Sequence, residues 1–153
     1  ESYDKYFAIL LKIGLTYLAI ILAYTVMKFG INLPRPYCIM ENFISIKNFA
    51  NERCLSSFPS AHTAMAVFMY YISFQYLSKR AKLLGAMVVA LVGASRISLA
   101  MHFPADIVYS VVICLCICWF VEYALNTNTL RNCVILPARD YFYAKLTHLF
   151  NLR

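Results

Sequence analysis

Residues 83–125 read LLGAMVVALVGASRISLAMHFPADIVYSVVICLCICWFVEYAL, and this stretch decides the fold. Two apolar runs, 83–101 and 105–125, lie nearly end to end. Only a few residues around His102, Phe103 and Pro104 join them. A bilayer crossing needs about 20 residues of helix. Both runs are apolar all round, as befits helices with no water-facing side. Working outward, two more such runs lie at 6–27 and about 60–77. The whole chain is 62% hydrophobic and 14% charged, with mean hydropathy +0.66. A soluble domain carries about 25% charge. The expectation is an all-α integral membrane helical bundle with four transmembrane helices. A core over 1–125 is followed by a basic cytoplasmic tail, 126–153. Within that tail ARDYFYAKLTHLF (138–150) suits an interfacial helix.

The net charge of +7 does not point to nucleic acid. The basic residues form no stripe interleaved with aromatics; they cluster at the ends of apolar runs, where anionic headgroups lie. Lys12 interrupts the first run near one end, where it could snorkel. The six cysteines do not read as a disulfide scaffold. Cys114, Cys116 and Cys118 sit inside an apolar run as small hydrophobes. Cys133 reads as an isolated thiol. Cys38 and Cys54 share one interhelical loop and could pair if it faces an oxidising compartment.

Orientation follows from positive charge. Lys79, Arg80 and Lys82, in the short turn 78–82, should be cytoplasmic. Four crossings then put the long loop 28–58 and the 95–106 segment on the other side. Yet that side holds Lys28, Arg35, Lys47, Arg53 and Arg96, which topology leaves unexplained.

The chemically capable residues gather on that same face. Lys28 and Arg35 follow the first run, Ser60 and His62 open the second, Arg96 closes the third, and His102 and Asp106 open the fourth. Ionisable groups at membrane depth are costly and mark function by default. Three cations without a matching carboxylate cluster suit an anion, and arginine offers a planar fork to phosphate oxygens. A helix starting at PSAH (59–62) adds free backbone N–H groups, with the small Ala61 allowing close approach. His102 and Asp106, spaced i and i+4, share a face if the helix has begun by His102. Asp106 would then orient the ring, His102 would attack phosphorus, and His62 would protonate the leaving oxygen. No acidic cluster for a metal is visible, so no metal or other cofactor is expected.

Singly, each residue has an ordinary explanation. Lys28 or Arg35 would snorkel, Ser60 would cap a helix, and His102 with Asp106 would pair at a helix start. His148 keeps its ordinary explanation. The convergence of four distant segments on one face is what sets the others apart.

KFGINLPRP (28–36), PSAH (59–62) and SRISLAMHFPAD (95–106) together resemble the three motifs of the type 2 phosphatidic acid phosphatase superfamily, in order. Ala61 replaces the usual glycine, a mild change unless that residue needs positive φ. The resemblance covers roughly 6–125. It implies a helical membrane fold, usually of six helices, with an active site at the outer membrane face and a phosphohistidine intermediate. It makes His102 the nucleophile, Asp106 its relay and His62 the general acid. Lys28, Arg35, Ser60, the Ala61 N–H and Arg96 would bind phosphate. Only one spanning run precedes the first motif, so two N-terminal helices are expected to be missing. The implied substrate is a lipid phosphomonoester or diphosphate, and the implied place a bacterial inner membrane with the site facing the periplasm. Two other functions remain open. One is phosphoryl transfer to a second lipid through the same histidine. The other, more remote, is anion transport along the cations.

Overall fold

The computed structural model describes residues 2–40, 54–127 and 135–150. Cys133, Lys47 and Arg53 lie outside the described residues. Every regular element among the described residues is helical: α1 (Ser2–Ile31), α2 (Pro36–Ile39), α3 (Ala61–Ser73), a 3-10 turn (Phe74–Tyr76), α4 (Lys79–Ser98), α5 (Pro104–Asn126) and α6 (Leu136–Phe150). The all-helical class stands as expected.

The count of spans does not. Among the described residues three segments are long and apolar enough to cross a membrane: Tyr6–Ile39, Lys79–Ser98 and Pro104–Asn126. The second run, expected over about 60–77, forms α3 of only 13 residues. That is about 20 Å of helix, to which the 3-10 turn adds about 6 Å. The hydrocarbon core is about 30 Å thick. Hydropathy marks the apolar run but is blind to the tightening at Phe74 that ends the α-helix early.

The starts and ends of the other helices also shift for local reasons. The basic turn 78–82 belongs mostly to α4: Ser78 caps that helix by accepting from Ala81 N at 3.3 Å, so Lys79 and Arg80 form its first turn. α1 runs past residue 27 to Ile31 and carries Lys28 in its last turn. The tail stretch expected to be helical is α6.

Residues Tyr17–Cys118 form one compact unit. Its buried apolar core is small: Ile20, Tyr24, Ala64, Val67, Phe68, Ala100, Cys114 and Cys118. Around it lie fully buried hydroxyls, Ser57, Ser60, Thr63 and Ser110. Leu18, Leu22, Val26, Val88, Leu91, Val108 and Val112 all point outward. Apolar outside and small or polar inside is the pattern for helices whose solvent is lipid. Close approach matters here. A Cβ on Gly85 would fall 2.7 Å from the Tyr70 ring, and one on Gly93 would fall 2.8 Å from Ile107 Cγ2. Glycine at these two positions lets α4 lie against α3 and α5. Tyr70 Oη also donates to Lys82 O at 3.0 Å, fastening the α3–α4 hairpin.

The second unit comprises Glu1–Thr16 and Trp119–Arg153. Within it Lys12 does not snorkel alone, as its place in the run suggested: its Nζ meets Glu122 Oε1 at 2.7 Å. The Phe7 and Phe142 rings pack 6.2 Å apart.

Candidate active site

Three short segments and four helix ends build the site, all within Tyr17–Cys118. The first segment leaves α1 at Asn32, whose φ of 47° turns the chain. Arg35 follows. Its backbone N–H donates to Cys54 O at 2.8 Å, and its Nη1 reaches Met101 Sδ at 3.8 Å. Cys38 and Cys54 are joined in a disulfide, with Cα atoms 5.7 Å apart. Arg35 is thus held to the second segment, 54–60, by a backbone bond and a covalent bridge. Ser57 N–H to Leu33 O at 2.9 Å adds a third tie.

The second segment turns at Ser56 (φ 67°), whose Oγ donates to Asn32 Oδ1 at 3.1 Å. It delivers Ser57, Pro59 and Ser60 into the interior. Ser60 is the N-cap of α3: its Oγ accepts from Thr63 N at 3.5 Å and from Thr63 Oγ1 at 3.0 Å. Its own N–H donates to Ser110 Oγ at 2.7 Å. The first backbone bond of α3, Ala64 N to Ser60 O at 3.0 Å, leaves the Ala61 and His62 N–H groups at the open helix end. Ala61 and His62 are both exposed. Ala61 is not among the positive-φ residues, which are Asn32, Ser56 and Ala100. Its backbone therefore tolerates alanine in place of glycine.

The third segment follows Arg96 in the last turn of α4. Ala100, at φ 49°, reverses the chain, and its carbonyl accepts from Tyr37 N at 3.2 Å. Non-glycine residues seldom adopt this left-handed conformation. One such residue bends each of the three site segments.

α5 begins at Pro104, so His102 stands in the loop before it, not on the helix face the i, i+4 spacing implied. The pair meets all the same, with His102 Nδ1 3.7 Å from Asp106 Oδ2. Asp106 sits in the first turn of α5 and takes the Phe103 N–H at 2.9 Å, a carboxylate reaching back to the helix start. Both members are 4% exposed. Burial pushes the His102 ring down to about 4; the Asp106 carboxylate and the Ser57 carbonyl act against that, while Lys28 and Arg35 add to it. The ring is therefore neutral at physiological pH.

Lys28, Arg35 and Arg96, from three separate segments, all act electrostatically on His62. The cations and both histidines thus share one neighbourhood. Arg96 Nε is buried without a hydrogen-bond partner among the described residues, as is His102 Nδ1. Among the described residues no three His, Cys, Asp or Glu side chains gather closely enough to hold a metal ion.

Two residues of this neighbourhood carry no signal of their own in the sequence. Ser57 donates from Oγ to Asp106 Oδ2 at 2.5 Å, and Ser110 donates from Oγ to Asp106 O at 2.5 Å. The only hint of Ser57 is the density of serine in SSFPS (56–60), and Ser110 is one hydroxyl inside an apolar run.

The model of one protein family, described as the PAP2 superfamily, matches residues 9–130. No curated protein and no solved structure matches the chain.

Proposed function

This chain belongs to the PAP2 superfamily, the type 2 phosphatidic acid phosphatases, and from that premise we propose that it releases phosphate from a lipid phosphomonoester or diphosphate through a phosphohistidine on His102. Membership implies phosphatase-type activity on phosphate esters, and the spanning segments make the chain a membrane protein. The lipid, the intermediate and the residue roles are the proposal.

One observation carries it. A buried, neutral histidine beside a carboxylate lies in the field of cations that also reach a second, exposed histidine. A neutral imidazole has the lone pair that phosphorus requires. In the first step a His102 nitrogen bonds to phosphorus as the P–O bond to the lipid breaks. Burial and the Arg96, Lys28 and Arg35 charges push His62 below the ordinary histidine range. The phosphate anion offsets those charges when it binds, and His62 then takes up a proton and gives it to the departing oxygen. In the second step water attacks phosphorus and gives a proton to His62; the P–N bond breaks and inorganic phosphate leaves. Asp106 orients the ring and offsets its charge in the intermediate. Lys28, Arg35 and Arg96 hold the equatorial oxygens, where charge is greatest in the transition state. The Ala61 N–H and the Ser60 cap shape the helix end that receives the phosphate. A Cys38–Cys54 bridge beside the site favours an oxidising, non-cytoplasmic face, such as the periplasmic side of a bacterial inner membrane.

The test is phosphate release by purified protein from phosphatidate and from a polyprenyl diphosphate in mixed micelles. His102→Ala and His62→Ala should each lose nearly all of it. Near-normal release by either variant overturns the mechanism.

A further inference from the structure

The Ser57 hydroxyl has no part in the phosphoryl-transfer steps, yet it makes a 2.5 Å contact with the carboxylate proposed to serve them. Ser57 is wholly buried, so this bond is neither shared with water nor screened by it. Asp106 Oδ2 accepts both Ser57 Oγ–H and Phe103 N–H. With two donors on one oxygen, the carboxylate is fixed in direction. The same oxygen is 3.7 Å from His102 Nδ1, beyond a hydrogen bond. A buried imidazole and carboxylate four residues apart would ordinarily close to a charge-assisted bond of about 2.8 Å. Here they do not, and the Ser57 and Phe103 donors occupy the oxygen that would close it.

We propose that Ser57 is a positioning residue, whose hydroxyl holds the Asp106 carboxylate beside His102 without letting it close on the ring in the resting enzyme. The carboxylate is already in place when phosphoryl transfer leaves positive charge on the imidazole. Ser57 itself makes and breaks no covalent bond and transfers no proton. The inference rests on the reading of His102 as nucleophile.

The charged groups facing His102 are Asp106 from α5, Lys28 from α1 and Arg35 from the segment before α2; the Ser57 carbonyl faces it too. Ser57→Ala removes only the hydroxyl and leaves all of these. The Asp106 charge, no longer shared with that hydroxyl, then acts more strongly on the ring.

The experiment measures kcat and kcat/KM on short-chain phosphatidate over about pH 4 to 9 for the full chain, Ser57→Ala, Ser57→Thr and His102→Ala. Ser57→Ala should lower kcat about tenfold, the loss of one well-placed bond to a charged group, with KM nearly unchanged. The acid limb of kcat/KM should move up by about one pH unit. Ser57→Thr, which keeps the hydroxyl, should keep the acid limb at its wild-type position. NMR titration of the His102 ring in Ser57→Ala should show the same upward move without any need for turnover. An unmoved acid limb or an unmoved ring titration in Ser57→Ala overturns the proposal. Phosphate release by His102→Ala would instead overturn the function reading, while the NMR titration still decides the role of Ser57.

Discussion

Helix α5 carries two carboxylates, and they are used in opposite ways. Glu122 meets Lys12 at 2.7 Å, a direct ion pair with side chains 40% and 28% exposed. Asp106 is buried, takes its donors from a serine hydroxyl and a backbone N–H, and stops 3.7 Å short of its histidine. Glu122 has a charged partner within its own fold. Asp106 has a neutral neighbour whose charge arises only if chemistry occurs. Lys28 and Arg96 repeat the point, since neither has an ion pair among the described residues. A charge paired in the fold stabilises the fold; charges held without counter-charge are available to a substrate, here an anion.

The sharpest way to break this contrast is to neutralise each carboxylate in turn. Asp106→Asn keeps an oxygen for Ser57 and Phe103 but removes the charge that would steady a cationic ring. It should lower kcat about 10⁴-fold, as loss of the orienting carboxylate does in histidine-based triads. Glu122→Gln should leave kcat within about threefold and lower Tm by about 2 °C, the scale of a partly exposed ion pair. Equal losses of activity in the two variants would erase the distinction.

A smaller effect is expected at the cations. Arg96→Lys keeps the charge but loses the fork geometry, so KM should rise about tenfold with a lesser change in kcat. An unchanged KM would remove Arg96 from the phosphate site.

A further effect concerns pH and stability. His102 lies near 4 in the folded protein against an ordinary value of 6.5. The unfolded chain therefore binds the proton more readily. His102 contributes its full stability above about pH 6.5, and that contribution is lost as pH falls toward 4. The melting temperature of the purified protein should drop over that window, and less in His102→Gln. A flat profile in both would deny that burial holds the ring neutral.

Much of this was legible in the sequence because it lies in long, uniform runs or in side chains with few ordinary uses. α1, α4 and α5 follow from apolar length alone. The neighbourhood of Lys28, Arg35, His62, Arg96 and His102 follows from their places at run ends. What escaped depends on short-range geometry. The early end of α3 is set at Phe74 by a local tightening. The His102–Asp106 pair is brought together by a loop and a cap, where spacing had suggested a helix face. Ser57 and Ser110 matter through one contact each, and no pattern announces a contact. Glu122 could have been found, because one opposite charge inside each of two apolar runs, Lys12 and Glu122, is the signature of an ion pair.

The small interior has a consequence for temperature. Large heat-capacity changes on unfolding come from apolar surface newly meeting water. Most apolar surface of this chain already faces outward, and in a bilayer it stays in an apolar medium whether or not the helices are docked. Separating the helices exposes chiefly hydroxyls, small side chains and the buried His102–Asp106 pair. Its stability curve should therefore be broader and shallower than that of a water-soluble domain.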